Sequence, residues 1–198
     1  MKKLACLLLW ATLCLGTGSC HLADSNAHSE GGGEDTTATL KASDENLSRE
    51  EQEKVLLERA RDIYNYVERV YSPGAPEGTD IDLNKKYGST RWNRLVEEVA
   101  IADSHTDDYS FAFVAGEPWI MGQDCKDLHA DNFKVMSIDG DRAAVMLDLH
   151  NHGTVTPVRV EFVREDGQWM IDNFVSGVDG EDGYNWQEMM LNYIKEYK

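Results

Sequence analysis

Basic residues are scarce: 19 Lys and Arg stand against 36 Asp and Glu in 198 residues, a formal net charge of −17. That deficit excludes general binding to DNA, RNA or anionic lipid headgroups, each of which needs a basic surface. Long apolar runs are missing as well. Leu4–Leu15 spans 12 residues, too few to cross a bilayer as a helix. Cysteine is confined: Cys6, Cys14 and Cys20 lie at the N-terminus, and only Cys125 follows. A disulfide within the later part is therefore excluded. There is no Gly-rich phosphate loop, G-x-S-x-G elbow, C-x-x-C or H-E-x-x-H, which removes the enzymes those motifs define. No internal repeat is found. What remains is sufficient for a core, since apolar residues make up 41% and aromatics 9%.

The first residues read as an address. Lys2 and Lys3 form a positive start, and Leu4–Leu15 has the length of a signal h-region. Small Gly18 and Ser19 then stand directly before Cys20, which resembles a bacterial lipobox; Thr17 occupies a place where an aliphatic residue is usual. The resemblance implies that residues 1–19 are a lipoprotein signal peptide and that Cys20 is acylated. The partner is then the membrane, through lipid on Cys20. The location is the cell envelope, on the periplasmic or surface-exposed side of an outer membrane. Residues 20–47 form the lipidated Cys and an acidic tether, with Gly31-Gly32-Gly33, no aromatic and no apolar period. Such a spacer reaches roughly 30 Å. Loss of Lys2 and Lys3 takes the charge from −17 to −19, of which −5 falls on the tether and −14 on residues 48–198.

Residues 48–198 read as one domain of ordinary size. Ser48-Arg49-Glu50-Glu51 is a capping box opening a helix to about Tyr71, with Leu56, Ala60, Ile63, Val67 and Val70 on one stripe. The Ser72–Gly78 stretch, with Pro73 and Pro76, ends it. A second helical stretch covers Asp80–Tyr87, breaks at Gly88 and restarts with Ser89 as cap; Trp92, Leu95, Val96, Val99 and Ala102 form its buried stripe. Tyr109–Ala115 reads as extended, and the chain is irregular from Gly116 to about Asn132. Four strands follow: Phe133–Ile138, Arg142–His150, Val155–Arg164 and Gln168–Ser176. Turns at Asp139-Gly140-Asp141, Asn151-His152-Gly153 and Glu165-Asp166-Gly167 make the order an antiparallel meander. Pro157 belongs at a strand start or edge. Trp186, Met189, Met190, Tyr193, Ile194 and Tyr197 form the stripe of a C-terminal helix, to be packed on the sheet or presented to a partner. The expected class is α+β: N-terminal helices packed on a curved antiparallel four-stranded meander, with a C-terminal helix.

Two helices ahead of a long meander resemble the cone-shaped fold of nuclear transport factor 2-like (cystatin-like) proteins. The run Gly167-Gln168-Trp169-Met170-Ile171-Asp172-Asn173-Phe174 is similar to the last strand of that superfamily. Pro118-Trp119-Ile120-Met121-Gly122-Gln123-Asp124 resembles a segment of a family of uncharacterised Gram-negative lipoproteins with this fold. The resemblance spans about residues 50–198 and implies a cavity between helices and sheet. It implies no particular activity, since the superfamily holds isomerases, dehydratases and binding modules.

The chemistry-bearing residues form a few groups. Asp148-x-His150-x-His152 places three side chains on one strand face, opposite Ala143, Val145, Leu147 and Leu149. Two imidazoles and a carboxylate are a three-ligand set for a metal, or else a solvated strand end. No cofactor and no metal are expected. Glu117, Trp119, Gln123 and Asp127 are candidates for a binding surface at a cavity mouth. Asp124, Asp148, His150 and Asp172 are candidate acid/base residues. Cys125 lies between Asp124 and Lys126-Asp127, whose carboxylates oppose thiolate formation, so it reads as a small buried residue. The acidic Asp179–Gly183 loop has the wrong ligand order for a helical-loop calcium site. The expected function is a non-catalytic binding or interaction module for a small ligand or an envelope protein. The alternative is a small-molecule acid/base enzyme, an isomerase, dehydratase or hydrolase, using a carboxylate/His pair in the cavity.

Overall fold

The computed structural model describes residues 47–72, 75, 82–106, 110–111, 115–177 and 183–197. The expected signal peptide, Cys20, most of the expected tether and most of the Asp179–Gly183 loop lie outside these residues.

Helix α1 (Arg49–Tyr71) opens with both halves of the capping box, Ser48 accepting from the Glu51 amide and Glu51 from the Ser48 amide. Its stripe is buried at Leu56, Ala60, Ile63, Tyr64 and Val67, with Val70 half-buried. A five-residue helix, α2 (Leu83–Tyr87), is capped by Asp82. Gly88 separates it from α3 (Thr90–Asp103), whose N-cap is Ser89. Trp92, Leu95, Val99 and Ala102 of α3 are buried as expected, and Val96 is half-buried. The expected extended segment at Tyr109–Ala115 is described only at three positions, and Phe111 and Ala115 there are helical.

Four strands follow in a single open sheet: β1 (His129–Asp139), β2 (Arg142–Asn151), β3 (Thr154–Glu165) and β4 (Gln168–Ser176). Their spatial order is their chain order, and every neighbouring pair is antiparallel. Two of the turns hold both central residues at positive φ, His152 (53°) with Gly153 (74°) and Asp166 (50°) with Gly167 (78°). That twist matches the strands it joins, and glycine takes the second position without steric cost. Pro157 sits in β3 opposite Asp148, beyond Ser176 where β4 ends. There β3 has a neighbour on one side only, so the missing N–H breaks no second ladder.

Alternation along the strands sends Val145, Leu147 and Leu149 of β2 and Val158, Val160 and Phe162 of β3 into the core. Helix α1 lies along β1, where Tyr64 meets Phe133 edge-on at 6.1 Å. Helix α4 (Trp186–Tyr197) packs on α3 and β4, burying Trp186, Met190, Tyr193 and Ile194. Its aromatic and Met stripe is therefore core. The class is α+β, with helices before the meander and one after it.

Strand β1 starts four residues earlier than its apolar pattern suggests, at His129 instead of Phe133. Asp131 and Asn132 are poor strand formers. They are carried in the sheet by a bulge between Asp131 and Lys134, with Asn132 at φ 52°. Another irregularity in β1 falls between Val135 and Ser137, and a third bulge lies in β4. Ile171 pairs with Phe162 and Asn173 with Glu161, so Asp172 is the extra residue.

Candidate functional site

The β4 bulge turns Asp172 inward, where it is 4% exposed. Its carboxylate accepts from Ser89 Oγ at 2.7 Å and faces Arg91 at 3.4 Å and Arg142 at 3.8 Å. Neighbouring Asn173, 3% exposed, donates to Glu161 and Asn185 and accepts from the Gln187 amide at 3.1 Å. Asp172 thus holds the N-terminus of α3 to β4, and Asn173 holds the N-terminus of α4. A carboxylate with three such partners is a docking element. It lines neither of the pockets described below.

The pockets lie on the α3–α4 side. One, of about 210 Å³, is walled by Trp92, Val96, Val99, Phe111, Trp186 and Met190. Asn84, Asp103 and Glu117 bring polar groups to it. Asn84 Oδ1 accepts from two indoles, Trp92 Nε1 at 2.8 Å and Trp119 Nε1 at 3.1 Å. The buried Trp186 Nε1 has no partner among the described residues. Asp103 is engaged by the Phe111 amide and the Tyr193 hydroxyl. The second pocket, of about 300 Å³, shares Gly116 and Trp186 with the first and includes Gln123.

Glu117 stands at the rim and its residue surface is accessible, yet burial around its carboxyl pushes the pKa above the ordinary carboxylate range. The Tyr71 hydroxyl, donating to it, offsets part of that shift. Burial, reinforced by the Glu117 charge, pushes the Tyr71 phenol up as well. Burial followed by the charges of Asp124 and Asp127 raises the Cys125 thiol, with a backbone hydrogen bond at Leu128 opposing. This free cysteine is half-buried and poorly suited to act as a nucleophile.

Trp119 is not a surface residue. It is 1% exposed, with its ring 5.0 Å from Phe174 and 6.5 Å from Tyr87. The turn closed by Glu117 N to Gly122 O at 2.7 Å folds it into the core. Its large apolar area and the Asn84 acceptor for its N–H make that the favoured place.

The three-residue set on β2 is not brought together. Asp148 accepts from Asn132 Nδ2 at 2.8 Å, and His152, in the turn, lies 3.0 Å from exposed Asp124. His150 instead meets residues of β1: its Nε2 is 3.1 Å from Asp131 Oδ1, and its ring stacks on His129 at 4.0 Å and 15°. The ligating atoms of His129, Asp131 and His150 all lie within 4.8 Å of one another. Asn151 braces this end, accepting from the Lys126 amide and donating to the carbonyls of Ile120 and Asp124. Asp127, at φ 55°, is exposed, and its carbonyl lies 3.2 Å from His129 Nδ1. His129 and Asp131 had a signal in the sequence, the same i, i+2 spacing as Asp148 and His150. It lay in a stretch without strand pattern.

No family model matches the chain, nor does any curated protein or solved structure. No helix among the described residues is long and apolar enough to cross a membrane.

Proposed function

We propose that the chain is an envelope lipoprotein, anchored by acylated Cys20, whose folded domain is a non-catalytic binding module. Its ligand is a compact, neutral, largely apolar molecule carrying a carbonyl-type acceptor, held between α3, α4 and the Gly116–Pro118 segment. One observation carries this reading. The apolar pocket is walled in part by Trp186, whose buried N–H has no acceptor among the described residues. A buried donor without a partner costs roughly 1–3 kcal/mol, which an acceptor on a ligand would recover. Asp103 and Glu117 at the same pocket disfavour an anion. The volume of about 210 Å³ fits a smaller ligand than the roughly 300–1,000 Å³ sites of drug-sized molecules.

The enzyme reading needs a carboxylate and a His converging on the cavity. Asp172 is taken up in docking α3, and Asp124, Asp148 and His150 line neither pocket. That weighs against it.

The test is an NMR titration with cyclohexanone as a compact neutral carbonyl probe. The Trp186 indole N–H signal should shift saturably, and Val99→Trp, which fills the pocket, should abolish the shift. No shift, or one that survives Val99→Trp, overturns the ligand reading. Capture by a protein partner with the pocket signals unchanged would replace it with the interaction reading. The anchor is checked separately: metabolic labelling with an alkyne fatty acid should mark the wild type and not Cys20→Ala.

A further inference from the structure

We propose that His129, Asp131 and His150 form a binding site for a divalent transition metal, Zn²⁺ foremost, on the outer strand pair β1–β2. Two imidazoles and one carboxylate are the donor set of zinc and its neighbours. Calcium and magnesium take shells of oxygen.

The spacing suits that ion. Ligands at 2.0–2.2 Å in a tetrahedron stand about 3.3 Å apart. His150 Nε2 and Asp131 Oδ1 are already 3.1 Å apart. His129 completes the set within 4.8 Å, and as an exposed side chain it closes the remaining distance by a turn of its ring. The register explains the convergence: His129 is the direct cross-strand partner of His150, and Asp131 is two residues along the same face.

The orientation suits it too. His129 Nδ1 lies 3.2 Å from the Asp127 carbonyl. Donating its N–H there leaves Nε2 with a free lone pair, the arrangement that metal-bound histidines commonly have. His150 takes the Nδ1–H tautomer on binding, its ring proton moving from one nitrogen to the other through solvent. The net charge of −14 on residues 48–198 raises the local concentration of any cation. Three protein ligands leave a fourth position open to water or to a side chain of another molecule. This site shares no residue with either pocket, so it stands or falls independently of the ligand reading.

The experiment is calorimetric titration of the tag-free protein with Zn²⁺, with excess Mg²⁺ present. One Zn²⁺ should bind per chain. His129→Ala and His150→Ala should each weaken binding at least about tenfold, since even outer partners of metal ligands commonly cost that much. Asp131→Asn should weaken it as well, and it serves as the substitute should either His variant disturb the strands, which circular dichroism reports. His152→Ala should leave binding unchanged. The proposal is overturned by absence of Zn²⁺ binding, by equal binding in wild type and a His129→Ala/His150→Ala double variant, or by loss through His152→Ala alone.

Discussion

The bulge in β4 sets Asp172 beneath the N-terminus of α3, whereas the bulge in β1 leaves Asp131 on the outer strand beside His150. The residue type is the same, and a bulge lies at or next to each: Asp172 is itself the extra residue, whereas Asp131 pairs with Asp148 just before one. What differs is the cover. Asp172 is closed over by α3 and meets a serine hydroxyl and two arginines, so its charge is spent within the fold. Asp131 is about half exposed and has an imidazole within reach, so its remaining oxygen is available to something outside the chain. A buried carboxylate with complete partners reads as architecture. One at an open edge beside two histidines reads as a place for a cation.

The largest expected effect breaks this contrast directly. Asp172→Ala leaves Ser89 Oγ without its acceptor and Arg91 and Arg142 without their common anion. Removing one member of a buried charged set costs roughly 3–5 kcal/mol; the exposed arginines place this case at the lower end, about 3 kcal/mol. Asp131→Ala, at the surface, should stay within about 0.5 kcal/mol. Urea unfolding of both variants checks the pair. Equal losses would mean that Asp131 is structural after all.

A smaller effect separates the two halves of the β4 network. Asn173→Ala removes the acceptor of the Gln187 amide in the first turn of α4, without touching Asp172. An orphaned buried donor costs about 1–3 kcal/mol. The loss should be local as well as global, with residues 186–197 cleaved earlier under limited proteolysis than the same segment in wild type. Uniform loss of protection across the domain would show that α3 and α4 are not docked separately.

The sequence was readable where periodicity is local. The capping box at Ser48, the stripe of α1 and the alternation of Val145, Leu147 and Leu149 each depend on neighbours within one turn or one strand. The same holds for the turns, where Asp166-Gly167 carries its own conformational preference. It was not readable where the outcome depends on cross-strand register. Asp131-Asn132 has the composition of a loop and becomes strand only because β2 pairs with it. His150 was legible as a candidate, but its partners are 19 and 21 residues away in sequence, on β1. The Asp148 and His152 that share its strand took other partners. Trp119 shows the same limit from the other side: a segment rich in Gly, Pro and acids looked like surface, and one large ring within it found the core.

The smallest expected effect concerns a third carboxylate, intermediate between the two aspartates. Glu117 is neither sealed with a cation nor fully in water; desolvation raises its pKa and the Tyr71 hydroxyl only partly offsets this. A carboxyl whose pKa is higher in the folded state holds its proton more tightly there than in the unfolded chain. Its contribution to stability is therefore fully present below the ordinary carboxylate pKa and is lost as pH rises through the raised one. Glu117→Gln keeps an oxygen for the Tyr71 hydroxyl and removes the charge. The variant should match wild type in acid and become the more stable of the two as pH rises toward 8, by a modest margin because the residue remains accessible. Melting temperatures of both proteins from pH 4 to 8 decide it. Parallel curves would show that the Glu117 carboxylate is as well solvated as Asp131, and a variant less stable at pH 8 would show that the charge is held by a cation as Asp172 is.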